Sequence, residues 1–312
     1  PSEMLLDEVH SALSTGEYDR AIQAVTMMDR QDLAKLRLEE GNLDKALQVY
    51  EEVYAALETQ GATEQRAHVL RRIGHVYHRM GDYAQAAEKF QVDPQIIVAI
   101  IGVETFYGRI TGGYRVLDAL TTLSFYYPSE LRDRSEFFSN ELMDFMLLGQ
   151  EEGLPLRDVE GSYAGAMGLG QFMPSSFRRY AVDFDGNGKR DLWNPVDAIG
   201  SVANYFSAHG WRTGGEVAIP ATFTSSKYRS MQTGFRSKHT LGGLRKAGIR
   251  PTRSIDSDRV SLLKYSTYDG DELWLGMHNF YVITRYNRSP LYAMAAYQLS
   301  EAIRDAYRKD AR

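Results

Sequence analysis

The chain has 312 residues, 43% hydrophobic and 25% charged, enough to bury one large core or two to three smaller ones. With 36 Lys and Arg against 41 Asp and Glu its net charge is −5, and no basic block stands out, which argues against nucleic acid as a partner. Within these 312 residues the absence of cysteine excludes disulfides, thiolate metal sites, a Cys nucleophile and a Cys-borne lipid anchor, and the longest apolar run, Ile96–Ile101 extended by Gly102 and Val103, is far shorter than the ~20 residues of a membrane helix.

From Leu5 to about Phe90 the sequence is polar, rich in Ala, Leu, Glu and Arg, and free of Pro. Three similar phrases punctuate it: "GEYDRAI" at Gly16, "GNLDKAL" at Gly41 and "GDYAQAA" at Gly81. Each reads as a turn Gly followed by a helix with a small Ala at a packing position. The phrases resemble tetratricopeptide (TPR) helix-turn-helix repeats, although their intervals of 25 and 40 residues depart from the regular period of about 34. A plain antiparallel helical array predicts the same residues.

A different texture begins at Gln91. In "VDPQ", Asp93 suits an N-cap and Pro94 the first helical position, where a missing N–H costs nothing. Further helices are predicted over Ser129–Gly149, Ser175–Ala181, Pro195–His209 and Pro290–Ala311, with Gly-rich loops at Gly161–Gly170 and Gly210–Gly215. Between the last two helices, "RVSLLKYSTYDGDELWLGMHNFYVITRYN" changes period. Its β-branched and aromatic residues around the "DGD" turn, Asp269–Asp271, predict a small antiparallel sheet. The fold class is thus mainly α, with a helical array over 1–90 followed by an α+β domain over 91–312.

Three constellations carry chemistry. In "VAIIGVETFYG" a helix continuing from Pro94 to Tyr107 puts Ile97, Ile100 and Ile101 on the face of Glu104. Desolvation there would raise the carboxyl pKa into the range of a general acid/base. The competing reading is an ordinary ion pair with Arg109 or Arg115. The second constellation is "GSYAGAMGLGQFMPSS". Its glycines admit close backbone approach, and Ser162, Gln171, Phe172 and Met173 combine hydrogen-bonding groups with apolar surface, a mixture that suits a sugar. A tight structural loop remains the alternative, and the Gly spacing matches no phosphate or dinucleotide fingerprint.

The third is "DFDGNGKRDLWNPVD". Asp183, Asp185 and Asn187 fall at positions 1, 3 and 5 of a calcium loop, Gly188 at the sharp turn and the Lys189 carbonyl at position 7. Asn194 stands where the bidentate Glu belongs, which leaves Asp197 as the carboxylate to close the loop 183–197. The hard oxygen set favours Ca2+ over a solvated acidic turn.

Together, "IIGVETFYG", "GSYAGAMGLGQFMPSSFRRYAVDFDGNGKRDLW", "DAIGSVANYFSAHGW" and "YNRSPLY" closely resemble the MltB- and Slt35-type lytic murein transglycosylases, from roughly Ala87 to the C-terminus. The resemblance implies a lysozyme-like catalytic domain in which Glu104 is the sole catalytic acid and base. It implies sugar-binding roles for Ser162, Gln171, Phe172, Met173, Tyr205, Tyr286, Asn287 and Tyr292, and a structural Ca2+ in an EF-hand-like loop held by Asp183, Asp185, Asn187, Lys189 and Asp197. The implied substrate is the β-1,4 bond between N-acetylmuramic acid (MurNAc) and N-acetylglucosamine (GlcNAc) in peptidoglycan glycan strands, cleaved with formation of a 1,6-anhydro end. No organic cofactor is needed, and the setting is the periplasm of a Gram-negative bacterium, with outer-membrane association of a full-length form left open.

A hydrolytic muramidase on the same scaffold would need a second acid, for which Glu160 is the candidate. A non-catalytic cell-wall adaptor acting through the repeats is the alternative from another class. The first 86 or so residues depart from the family pattern: a repeat-like array, with a possible protein partner, stands where members carry their own helical segment.

Overall fold

The computed structural model describes residues 30, 34, 43–59, 69, 72–73, 81–128, 133–268 and 270–310. The chain divides into two compact units, Pro1–Ala84 with Glu301–Arg312, and Gln85–Ser300. The phrase at Gly16 and most of the expected repeat lie outside the described residues. The other two phrases each lead into a helix, α1 (Leu43–Thr59) and α2 (Gly81–Phe90). In both, the Ala five residues after the Gly, Ala46 and Ala86, is fully buried. Within α1, Ala46, Tyr50, Val53 and Leu57 are buried at alternating spacings of four and three, one stripe of an amphipathic helix.

In the larger unit, α3 (Pro94–Thr105) is buried along the whole run from Ile96 to Gly102, as expected for a helix that is apolar all round. It ends at Thr105, two residues earlier than expected, because Phe106 and Tyr107 both adopt left-handed backbone, φ 51° and 58°. The amides of Phe106 and Tyr107 close the last turn onto the carbonyls of Gly102 and Ile101, a Schellman pattern built without glycine. Asp93 precedes Pro94 as foreseen but does not cap the helix. Its carboxylate accepts Trp211 Nε1 at 2.8 Å and the Gly214 amide.

A two-residue strand β1 (Tyr114–Arg115) leads into α4 (Val116–Phe125), neither of which the sequence pattern indicated. The helix expected over Ser129–Gly149 is α5 (Ser135–Glu152). The first residues of that expectation, 129–132, lie outside the described residues; Asp133 accepts the Ser135 amide where α5 begins, and the helix ends at Gly153, φ 67°. Strand β2 (Glu160–Gly161) pairs antiparallel with β1. After the Gly-rich loop come α6 (Pro174–Tyr180) and α7 (Pro195–Ala208); α7 packs on α3 and α6, and α5 packs on α4 and α6.

The C-terminal sheet is larger than expected. It contains β3 (Ala218–Phe223), β4 (His239–Thr240), β5 (Ile249–Pro251), β6 (Arg259–Thr267) and β7 (Gly270–Gly276), in the order β4-β6-β7-β3-β5 with every pair antiparallel. The foreseen hairpin is β6–β7, with Thr267 opposite Gly270. Helix α8 (Leu241–Lys246) packs on β5, and Leu244, Ile249, Leu262 and Leu275 form part of a separate apolar core. The tail of the quoted stretch is not strand but α9 (His278–Tyr286), followed by α10 (Pro290–Asp310).

Candidate active site

Glu104 lies in the last turn of α3, beside Ile100 and Ile101, which are 0% and 1% exposed. The neighbouring Thr105, buried, fastens this turn in place. Its hydroxyl donates to the Leu169 carbonyl at 2.8 Å and accepts the Gly108 amide at 3.0 Å, tying the end of α3 to the Gly-rich loop. The Tyr292 hydroxyl donates to Glu104 Oε1 at 2.6 Å. Burial pushes the Glu104 carboxyl up to about 7, and the Tyr292 hydrogen bond, which favours the charged form, only partly offsets this. The Tyr292 hydroxyl is itself held well above its ordinary range by burial and by the adjacent carboxyl, so it acts as a donor.

The ion-pair alternative is not realised among the described residues. Arg115 pairs with Asp118 at 2.5 Å, and the Arg109 guanidinium lies 5.5 Å from the Phe106 ring centroid. Glu160, on β2, is exposed, and its Cα partner across the ribbon is Arg115.

The Gly-rich loop folds back on itself. Met167 and Phe172 exchange both backbone hydrogen bonds at 2.9 Å, and Ser162 Oγ accepts the Ala166 amide at 3.1 Å. A Cβ on Gly112 would come within 2.1 Å of the Gly161 carbonyl oxygen, so only glycine lets this crossing form. Gln171, at φ 51°, donates its amide nitrogen to the Thr111 and Gly168 carbonyls, both at 3.0 Å. Its Oε1 has no donor among the described residues. Met173 is half-buried and precedes α6, while Asn287 is exposed at the end of α9.

The remaining aromatic candidates are packed inside. Phe172, 2% exposed, lies against Tyr205 and Tyr286, each with ring centroids 5.8 Å away. Tyr205 donates to the Arg285 carbonyl at 2.6 Å, and the Tyr286 hydroxyl donates to the Gly170 carbonyl. These rings brace α7, α9 and the Gly-rich loop against one another. Thr105 and Glu141 carried no signal in the sequence. Glu141, 5% exposed in α5, accepts the Ser175 amide at 2.9 Å and hydroxyl at 2.8 Å, fixing the start of α6 directly after Gln171–Met173.

In the acidic loop, carboxylate oxygens of Asp183, Asp185 and Asp197 lie within 4.8 Å of one another. Asp197, fully buried in the first turn of α7, accepts the amides of Phe184, Asp185 and Asp191. Asp183 accepts those of Gly186, Asn187 and Gly188, and the Gly188 bond leads the interactions that hold its carboxyl below the ordinary range. Asn187 Oδ1 accepts the Lys189 amide. Asn194, the residue that departs from the calcium-loop pattern, caps α7 through the Val196 amide at 2.9 Å and donates to Asp185 at 2.8 Å. Three converging carboxylates are the hard oxygen donors that Ca2+ takes, so the donor set fits that ion.

A sequence model of the transglycosylase SLT domain matches residues 67–301. The chain belongs to the transglycosylase SLT family. Within it, this SLT chain is 49% identical over 220 residues to membrane-bound lytic murein transglycosylase B of Escherichia coli K12, a match covering 70% of this chain and 59% of that relative's length. It is 48% identical to soluble lytic transglycosylase SltB1 of Pseudomonas aeruginosa, with a TM-score of 0.70 over 76% of this chain and 79% of that one. The E. coli lytic transglycosylase Slt35, solved in complex with bulgecin A, is 38% identical with a TM-score of 0.72 over 98% of this chain and 94% of that one, and it has also been solved in complex with calcium. The SLT fold is mainly helical and lysozyme-like with small antiparallel sheets. The family match begins at residue 67, inside the segment that the sequence motifs had set apart.

Proposed function

We propose that this SLT chain is a peptidoglycan lytic transglycosylase that cleaves the β-1,4 bond between MurNAc and GlcNAc and leaves a 1,6-anhydro-MurNAc end. The observation that carries this reading is Glu104: a carboxyl held near pKa 7 by burial, free of any cationic partner among the described residues, and oriented by Tyr292. Such a group is protonated often enough near neutral pH to donate and, once ionised, basic enough to take a proton back.

In the first step Glu104 gives its proton to the glycosidic oxygen as the C1–O bond breaks. In the second the Glu104 carboxylate takes the proton of the sugar's own 6-hydroxyl as that oxygen bonds to C1. Glu104 ends protonated again and no water is consumed, so one carboxyl suffices where hydrolases need two. Ser162, Gln171, Met173 and Asn287 offer polar and apolar groups to the glycan, and Phe172, Tyr205 and Tyr286 hold those groups in place. The residues Asp183, Asp185, Asn187, Lys189 through its carbonyl, and Asp197 would hold a structural Ca2+ in an EF-hand-like loop, remote in role from bond cleavage. The calcium complex of Slt35 and the acidic cluster support that assignment.

The catalytic part is assigned to 91–312 and a TPR-like segment with a protein partner to 1–90, on the strength of the phrases at Gly16, Gly41 and Gly81. A periplasmic location follows from the substrate. No described helix is long and apolar enough to cross a membrane. Mass spectrometry of muropeptides released from purified sacculi tests the reading. Products one water lighter than reducing ends are expected, and their loss in Glu104→Gln; reducing ends from the native chain would instead establish a muramidase.

A further inference from the structure

Beside the C-terminal sheet the larger unit carries a groove of about 870 Å³, within the size range of ligand sites. Arg212, Arg236, Lys238 and Arg259 line it together with the rings of Phe235 and Tyr281, and no Asp or Glu lines it. All four cations are exposed, and none is in an ion pair among the described residues.

The segments that bear these cations are fixed by buried polar residues. Asn279, 1% exposed, holds the backbone of Arg212 from both sides, accepting its amide at 3.0 Å and donating to its carbonyl at 2.8 Å. Ser237, between Arg236 and Lys238 and also 1% exposed, accepts the Leu262 amide and donates to the Gly234 carbonyl, both at 2.8 Å. Arg259 opens β6, in register with Thr240 of β4. The backbone beneath the cations is therefore fixed, and their placement on three separate segments suits a chain with several anions better than a single small ion. Guanidinium groups match planar carboxylates, and the two rings offer apolar surface to the methylenes between them.

We propose that this groove binds the carboxylate-bearing peptide arms of murein, at a site made by none of the residues assigned to glycan cleavage. The inference rests on the murein reading for the source of the peptide, but its test does not need cleavage. The Glu104→Gln chain is titrated with the free stem peptide L-Ala-γ-D-Glu-meso-diaminopimelate, with the same peptide amidated at its carboxyls, with inorganic phosphate, and with phosphatidylglycerol vesicles.

The acidic peptide is expected to bind, to weaken as salt rises, and to lose at least about tenfold in affinity on amidation or in the variant Arg212→Ala/Arg236→Ala/Lys238→Ala/Arg259→Ala. Should that variant melt early, Arg236→Ala with Lys238→Ala alone is expected to weaken binding severalfold at unchanged Tm. Equal affinity in native and substituted chains, indifference to amidation, or stronger binding of phosphate or vesicles would overturn the proposal. Absence of murein cleavage by the native chain would instead count against the activity, because peptide binding is read separately.

Discussion

Tyr292 and Glu104, 188 residues apart in sequence, share a 2.6 Å hydrogen bond in which the phenol donates to the carboxyl that burial has driven up to about 7. The bond favours the carboxylate, so removing it leaves desolvation unopposed. In Tyr292→Phe the Glu104 pKa rises further, and the alkaline limb of the pH–rate profile moves upward from its native position near 7. The rate on sacculi falls roughly 10–100-fold, because the carboxyl loses its orientation as well as its donor. An unmoved limb in a folded variant would show that Tyr292 does not tune this group.

The same displaced pKa makes stability depend on pH. The folded Glu104 holds its proton up to about 7 and the unfolded one only to 4.5, so the native state binds more protons between those values. Stability contributed by the protonated form is complete below about 4.5 and is lost as pH rises toward 7. Glu104→Gln, neutral throughout, is expected to lack this loss and to be more stable than the native chain at pH 8 by on the order of 1–3 kcal/mol, with the gap narrowing toward pH 5. Thermal melts of both chains across that range measure it.

Thr105 fastens the turn that carries Glu104, the proposed acid and base, and its own hydroxyl is taken up by the Leu169 carbonyl and the Gly108 amide. Thr105→Val keeps the shape but leaves the Leu169 carbonyl and the Gly108 amide without their partner, which costs about 1–3 kcal/mol. Since Glu104 is the preceding residue, kcat should fall while KM changes little, and Thr105→Ser should restore most of both. Equal kcat in native and Val chains would confine Thr105 to stability.

How much of this was readable in the sequence follows from the range of each interaction. The dry flank of Glu104 is local, one helical face of isoleucines, and so it was visible. The bonds to Tyr292 and Thr105–Leu169 link residues 188 and 64 apart, and no spacing rule reports them. The end of α3 is not legible because left-handed turns normally show Gly or Asn, whereas here Phe106 and Tyr107 adopt that backbone. Strands β4 and β5, of two and three residues, are too short for a period of two to register, while the β6–β7 hairpin announced itself through its turn. That Phe172 and Tyr205 are internal, 2% and 7% exposed, is not legible, since an aromatic residue in a motif looks the same whether it faces a ligand or packs inside.

Asp197 offers a test of the acidic loop that separates fold from catalysis. Its buried carboxylate accepts three backbone amides and approaches Asp183 and Asp185, so it joins the loop to the start of α7. If Ca2+ binds the folded loop, adding it raises Tm and chelation lowers it, by RT ln(1 + [L]/Kd) expressed as a shift in stability. At low temperature cleavage of sacculi should persist after chelation, because none of the glycan-facing candidates lies in the loop. Asp197→Asn replaces one acceptor oxygen by a donor facing the amides, and should lower stability by about 1–3 kcal/mol and abolish the Ca2+-dependent rise in Tm. A chelated chain that stays folded but no longer cleaves would place the ion in the reaction itself, against the division between structural loop and single-carboxyl chemistry.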